Sequence, residues 1–243
     1  MDIENTQKTW FIAGAGGGIG NALLNAVLDS DPTADIIATH RAPISSTDSR
    51  VSWLQIDLTQ SAQDWQLEAR LPHVAKIDVF VNCCGLLSNE ATRPEKRISD
   101  LAMPAMLTSY QVNAAGPAAL FSGLSSLIAA APKPVAAFLS AQVGSIEDNR
   151  TGGWYSYRMA KAALNMGVKC LAIETARWKN SPLVIAVHPG TTQTPLSRPF
   201  TRRRSPPPRP SEDTAARLLH LLLSANPDLH GRLITTDGTP IPW

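Results

Sequence analysis

Tyr157 and Lys161 are the side chains whose types and spacing point most directly to proton chemistry. Four residues apart on a helix, a phenol and an ammonium share one face. A phenol with a pKa of about 10 exchanges protons poorly at neutral pH. A cation one turn away favours the phenolate and turns the hydroxyl into a usable acid. Tyr155 competes for the part, but only Tyr157 has a lysine at this spacing. Such pairs also arise on ordinary helix surfaces, so the meaning of this one depends on what the chain places beside it.

A second candidate lies near the N-terminus. Gly14-Ala15-Gly16-Gly17-Gly18-Ile19-Gly20 follows an apolar stretch and precedes a helical pattern. Glycines there let the backbone turn tightly and approach a pyrophosphate, whose charge sits on the helix N-terminus. The alternative is a strand-to-helix turn with no ligand. The next apolar stretch ends Thr39-His40-Arg41, with no acid nearby. An acid there would bond the ribose 2′-hydroxyl of NAD and repel a 2′-phosphate. A guanidinium can instead pair with that phosphate bidentately. Arg41 therefore favours NADP(H) over NAD(H), the alternative being a merely exposed arginine, and His40 flanks the same place.

These residues need elements to hold them. Thr9–Ala13 is short, aromatic and β-branched, and closes in glycines, which predicts a buried strand. Ile19, Leu23, Leu24, Val27 and Leu28 recur at helical spacing, and Asp31-Pro32 ends that helix. The alternation continues with strands at 35–39, 51–56, 77–81, 135–139, 183–187 and 232–235. Helices are predicted at 61–71, 101–130 with a break near Gly116-Pro117, 157–178 and 211–224. Strands alternating with helices predict an α/β fold: a doubly wound, Rossmann-type parallel sheet flanked by helices. No linker divides residues 1–243, which read as one dinucleotide-binding domain. The stretch 194–210, with Arg202-Arg203-Arg204 and Pro206-Pro207-Pro208, reads as a substrate-side flap or a solvated connector.

A chain of 243 residues supports one sizeable core, and its 44% hydrophobic and 17% charged residues are those of a globular protein. The net charge of +2 argues against nucleic acid, since the one dense basic cluster lies in a proline-rich stretch. Met1 to Lys8 has neither a secretory nor an organellar signal pattern. No run of about eighteen apolar residues exists to span a membrane. Three cysteines, with Cys83 and Cys84 adjacent, make no even disulfide framework and lack metal-ligand spacing. The expectation is a cytoplasmic protein with no metal, its thiols serving as small buried hydrophobes.

Several motifs fall in the order used by the short-chain dehydrogenase/reductase family, which the chain resembles over nearly its whole length. Gly14, Gly18 and Gly20 match its glycine spacing, although Gly16 and Gly17 blur the distinction from longer-domain dehydrogenases. Asp57-Leu58 stands where that family contacts adenine. Asn82-Cys83-Cys84-Gly85 resembles its Asn-Asn-Ala-Gly, and Asn113 matches the helix asparagine that completes a proton relay. Pro189-Gly190, with Thr192 and Thr194, resembles its nicotinamide-contacting segment. A closer likeness is to the C-factor/Sniffer-like carbonyl reductase branch, carried by Gly144-Ser145-Ile146, by Gly152-Gly153-Trp154-Tyr155-Ser156-Tyr157-Arg158, and by Asp237-Gly238 through Trp243.

One departure stands out. The family's catalytic serine usually lies three residues before the glycine that is Gly144 here, and that position is Ala141. Ser145 or Ser140 could take its place. Ser145 is preferred, because Ser140 should point to the opposite side of the strand from Ala141. The resemblance implies an NADPH-dependent oxidoreductase that reduces a carbonyl, or oxidises the matching alcohol. Tyr157 would be the proton donor, Lys161 would bond the nicotinamide ribose, and Asn113 would anchor a relay water. The alternative is a cofactor-binding regulatory or signalling protein of the same fold with weak or lost catalysis. The expected partner is a small-molecule carbonyl or alcohol, walled by residues 86–100 and 194–210. A homo-oligomer is compatible with the small residues Ala114-Ala115 and Ala162-Ala163.

Overall fold

A computed structural model of the chain describes residues 7–42, 48–89, 93–202 and 205–243. Residues 1–6, residues 90–92 of the expected pocket wall, and Arg203 and Arg204 of the expected flap lie outside the described residues.

Strand β1 (Thr9–Ala13) passes through the glycine turn into helix α1 (Gly18–Ser30), and β2 (Asp35–His40) and β3 (Val51–Gln55) follow. A 3-10 turn at Ala62–Trp65 and the short helix α2 (Leu67–Arg70) lead to β4 (Val79–Asn82). Helices α3 (Met103–Tyr110), α4 (Gly116–Gly123) and α5 (Ser125–Ala130) then return to β5 (Val135–Leu139). Helix α6 (Tyr155–Thr175) connects to β6 (Leu183–His188), α7 (Arg198–Thr201) lies in the stretch beyond it, and α8 (Ser211–Ser224) precedes β7 (Leu233–Thr235) and β8 (Pro240–Ile241).

The strands form one sheet ordered β3-β2-β1-β4-β5-β6-β7-β8. All neighbours are parallel except β7 and β8. This is the expected doubly wound α/β arrangement. The order reverses between β1 and β4, and a crevice opens at the carboxyl ends of strands at such a reversal. The glycine turn leaves β1 at that point, and Asn82-Cys83-Cys84-Gly85 leaves β4.

Residues alternating along each strand serve two cores. Trp10, Ile12 and Val81 face Leu23, Val27, Leu218 and Leu222 on α1 and α8. Phe11, Phe80 and Phe138 face Phe121, Leu164 and Val168 on α4 and α6. Phe80 meets Phe121 edge to face at 5.7 Å, a favoured geometry for buried rings. Because both faces are covered, β5 (Val-Ala-Ala-Phe-Leu) is buried throughout and reads as an unbroken apolar run.

Four expectations need correction. The helix at 61–71 is split by Gln66, whose left-handed backbone at φ 47° cannot continue a helix. The 101–130 helix begins at Met103, and its irregularity does fall near Gly116-Pro117, though not at the proline itself. Pro117 sits in the first turn of α4, where its missing N–H is not needed. The irregularity lies just before, in a π-type turn at Gln111–Ala115, and again at Leu124. Gly116 is there because a Cβ would stand 2.9 Å from both the Gln111 carbonyl and Leu58 Cβ. The helix expected at 157–178 begins two residues earlier and ends at Thr175, and α7 and β8 are additional. Finally, Cys170 is exposed, whereas Cys83 and Cys84 pack against the two cores with part of their surface left open.

Candidate active site

The glycine turn is built for a close approach. Gly14 has φ +75°, and a Cβ on it would meet the Cys84 backbone nitrogen and Sγ at 3.0 Å. A Cβ on Gly20 would lie 2.3 Å from the Gly14 carbonyl oxygen. Gly16 and Gly17 are exposed, and α1 begins after Gly17 with no side-chain cap and no acid in its first turn. Its first N–H groups are therefore open to an anion. Ile19 is half-buried and packs against the α1-side core. Thr39 Oγ1 accepts from the Gly14 N–H at 3.0 Å, tying the turn to β2.

Past β2, Arg41 is exposed and close enough to act electrostatically on Cys84. His40 is buried edge-on against Trp53, so its ring belongs to the packing of β2 on β3. Asp57 is committed locally: its Oδ1 accepts from the Thr59 N–H and hydroxyl at 2.9 and 2.8 Å. Leu58 is buried beneath Gly116. Asn82 is fully buried at the end of β4, with neither side-chain polar atom hydrogen-bonded.

At the β4 end, Gly85 is where the strand-end loop meets the helices. A Cβ there would lie 3.5 Å from Asn113 Oδ1 and 3.9 Å from Lys161 Nζ. Asn113 sits in the π-type turn, fully buried. Its Oδ1 accepts from the Leu86 N–H at 3.0 Å and its Nδ2 donates to the Leu86 carbonyl at 2.8 Å. Lys161 is buried on α6 and donates to the Leu139 carbonyl at 2.8 Å, its Nζ 5.8 Å from the centre of the Tyr157 ring. Burial lowers the Lys161 pKa to about 8, against the opposing pull of Cys84 and Cys83. Burial also pushes the Cys84 thiol up to about 12, and the Cys83 thiol higher than its ordinary value.

Tyr157 differs from the expectation that Lys161 would acidify it. Burial pushes its phenol up to about 12. The ammonium is turned to the Leu139 carbonyl, and desolvation dominates the phenol. The Tyr157 ring packs edge-on against Trp154 at 6.4 Å, and Trp154 packs against Phe200 of α7 at 5.4 Å. Trp154 precedes α6 with a left-handed backbone at φ 52°. A non-glycine residue held in that region reflects surroundings that over-determine it.

Both candidate serines are engaged by the fold. Ser140 is buried and donates to Asn165 Oδ1 at 2.6 Å. Ser145 is buried, donates to the Trp243 carbonyl at 3.2 Å and accepts from the Asp148 N–H at 3.1 Å. Beyond β6, Gly190 adopts φ +76°. Thr192 turns inward to share a hydrogen bond with Thr214 on α8 at 3.0 Å. Thr194 lies on the glycine turn: a Cβ on Gly18 would be 2.7 Å from its Cγ2. Leu196 reaches within 3.7 Å of the Cβ position of Gly85.

Arg209 and Glu95 are parts of this region that sequence reasoning missed. Arg209 exchanges backbone hydrogen bonds with Thr191 at 2.9 Å and Gln193 at 2.7 Å, closing the 194–208 stretch at its base. Its guanidinium lies 3.5 Å from the Cβ position of Gly190. Glu95 is buried against the start of α6. Neither carries a spacing signal, because both act across loops.

A glycine turn at a strand-order reversal, with a buried lysine and a tyrosine at the same sheet edge, defines a dinucleotide-fold oxidoreductase. The family model for short chain dehydrogenase matches residues 8–205, and the chain belongs to that family. It is 27% identical to the C-signal protein of Myxococcus xanthus over 167 residues, covering 69% of this chain and 93% of that one. It is 28% identical over 189 residues to 1-hydroxy-2-glutathionyl-2-methyl-3-butene dehydrogenase of a Rhodococcus species, covering 77% and 78%. Among solved structures, the fold is shared with carbonyl reductase Sniffer of Drosophila melanogaster, with a TM-score of 0.83 at 22% identity and coverage of 98% and 100%. It is also shared with NADPH-bound carbonyl reductase from chicken fatty liver, with a TM-score of 0.81 at 19% identity and coverage of 98% and 99%. No helix among the described residues is long and apolar enough to cross a membrane.

Proposed function

We propose that the protein is an NADP(H)-dependent carbonyl reductase that transfers hydride to a carbonyl carbon, or runs the matching alcohol oxidation, with Tyr157 as proton donor. The observation that carries this reading is the meeting of Asn113 Oδ1 and Lys161 Nζ at Gly85, beside the glycine turn. The residues fit a nicotinamide dinucleotide: exposed glycines at 16 and 17 before the uncapped start of α1, a Gly20 with no room for a side chain, and Arg41 past β2 for a 2′-phosphate. Asn82, Cys83, Cys84 and Gly85 line the β4 side, and Pro189, Gly190 and Thr194 the β6 side.

When bound, the reduced nicotinamide supplies the hydride. Tyr157 gives its phenolic proton to the carbonyl oxygen as negative charge develops there. To stabilise the phenolate left behind, Lys161, charged below about pH 8, must turn its ammonium from the Leu139 carbonyl toward the Tyr157 oxygen. Asn113 holds the β4 loop through both polar atoms and so keeps Gly85 beside Lys161. Of the two serines, Ser145 is better suited to polarise the carbonyl, because its 3.2 Å donor bond exchanges more readily than the 2.6 Å bond of Ser140. The 194–210 stretch acts as the substrate-side flap, with Leu196 over Gly85 and Phe200 against Trp154. The substrate is a small carbonyl compound or alcohol, and the working compartment is the cytoplasm.

The test follows oxidation of NADPH with a panel of activated carbonyls. Wild type is expected to turn over, and Tyr157→Phe to lose at least about a hundredfold in kcat. Arg41→Ala is expected to weaken NADPH more than NADH. Full activity in Tyr157→Phe would defeat the assignment. A second reading, a cofactor-binding regulator, draws on Ala141 and the two committed serines. It predicts a thermal shift with NADPH and no turnover on any carbonyl.

A further inference from the structure

Glu95 lies in the loop after β4, far from the residues that sequence motifs single out, and is 4% exposed. Buried acids are rare unless their oxygens are satisfied. Here the partners are the first residues of α6. The Ser156 hydroxyl donates to one carboxylate oxygen and the Ser156 N–H to the other at 3.2 Å, while the Glu95 carbonyl accepts from the Trp154 N–H at 2.6 Å. Ser156 immediately precedes Tyr157.

A carboxylate at a helix start is often no more than a cap. This one is joined to something else. The Ser156 carbonyl accepts from the Ser109 hydroxyl at 3.2 Å, and Ser109 Oγ in turn accepts from Asn113 Nδ2 at 3.2 Å. Asn113 Nδ2 shares that hydrogen with the Ser109 carbonyl at 3.0 Å, and its second hydrogen and its Oδ1 end on Leu86, beside Gly85 and Lys161. Glu95, Ser156, Ser109 and Asn113 are all at most 5% exposed. The chain thus runs dry from the pocket-wall loop to the relay asparagine, passing the residue next to the proton donor. Fully satisfied buried networks of this kind hold one geometry.

We propose that Glu95 is a positioning residue for the reduction step, fixing Tyr157 and Asn113 relative to one another through Ser156 and Ser109. The proposal rests on the carbonyl reductase reading. It adds a role for the wall loop: Glu95 couples that loop to the proton donor rather than merely bordering the substrate.

The experiment compares Glu95→Gln, Ser109→Ala and their double variant in the full-length protein. It measures kcat, KM, NADPH Kd, melting temperature and amide hydrogen exchange over 155–158. The expected result is a drop in kcat of about tenfold or more in each single variant, since small misplacement of a reacting group is costly. NADPH Kd stays unchanged, and exchange at 155–158 quickens in Glu95→Gln. The double variant falls no further than the worse single one, the sign of residues acting in one network. Unchanged kcat with a lowered melting temperature would reduce Glu95 to a helix cap and overturn the proposal, as would independent, additive losses. Should Glu95→Gln not fold, Ser109→Ala decides: full kcat overturns the proposal and a selective kcat loss supports it. Tyr157→Phe runs alongside. If it is inactive while these variants keep full kcat, only the positioning role fails; if it is fully active, the enzyme reading itself fails.

Discussion

Lys161 pays for its place between two thiols and a strand carbonyl with a depressed affinity for its own proton. Its pKa in the folded chain is about 8, against an ordinary 10.5. Between those values an unfolded chain holds this proton and the folded one does not, so the Lys161 contribution to stability rises with pH through this window, while the two thiols that burial keeps protonated pull the other way above about 9. Below about 8 both states are protonated and the burial penalty is in full force. Lys161→Met is therefore expected to melt higher than wild type at neutral pH, to lose that advantage progressively as the pH is raised past about 8, and to be inactive. Thermal melts across that range check it: a lower melting temperature with the wild-type pH slope retained would contradict the account. Function and stability pull in opposite directions at this residue, as they do at many active sites.

At the scale of elements, the glycine turn and α1 form one mechanical part. An alanine inside a helix ordinarily gains about 1 kcal/mol over glycine. At Gly20 that gain is overruled, because the new Cβ would stand 2.3 Å from the Gly14 carbonyl oxygen. Gly20→Ala is expected to lower the melting temperature and abolish the thermal shift with NADPH; an unchanged shift would show that the turn tolerates opening. This part was legible in the sequence because turn, strand and helix are contiguous. So were β1, β2, β5, β6 and α8, whose apolar patterns belong to single elements. The π-type turn at Gln111–Ala115 was not legible: what makes Gly116 necessary is Leu58, remote in sequence. Glu95 was missed for the same reason, since its partners lie some sixty positions away. The state of Tyr157 was misjudged because i, i+4 spacing brings the lysine near without fixing where its Nζ points. Burial, which no spacing reveals, then controls the phenol.

For the whole molecule, the outer faces of α3 and α6 carry Met103, Leu107, Met166 and Ile173, each more than half exposed. Tyr110, Ala115 and Gly167 line a groove of about 110 Å³ between the α3–α4 segment and α6. Apolar side chains at this density on neighbouring helices fit a contact with a second copy. Wild type is expected to sediment as a dimer or larger with a melting temperature that rises with protein concentration, and Met166→Glu to shift it toward monomer and to lose that concentration dependence. A monomeric wild type at high concentration would dismiss this pairing. The stretch between Gln193 and Arg209 has a different architecture, because its two ends are hydrogen-bonded to each other and not only to the sheet. It is built like a handle bolted on at its base, so what lies between the bolts, apart from Thr194, Leu196 and Phe200 where they rest on the frame, is exchangeable as a cassette. Grafting another handle onto the same pair of anchors should retune which molecules the protein accepts while leaving the frame beneath untouched.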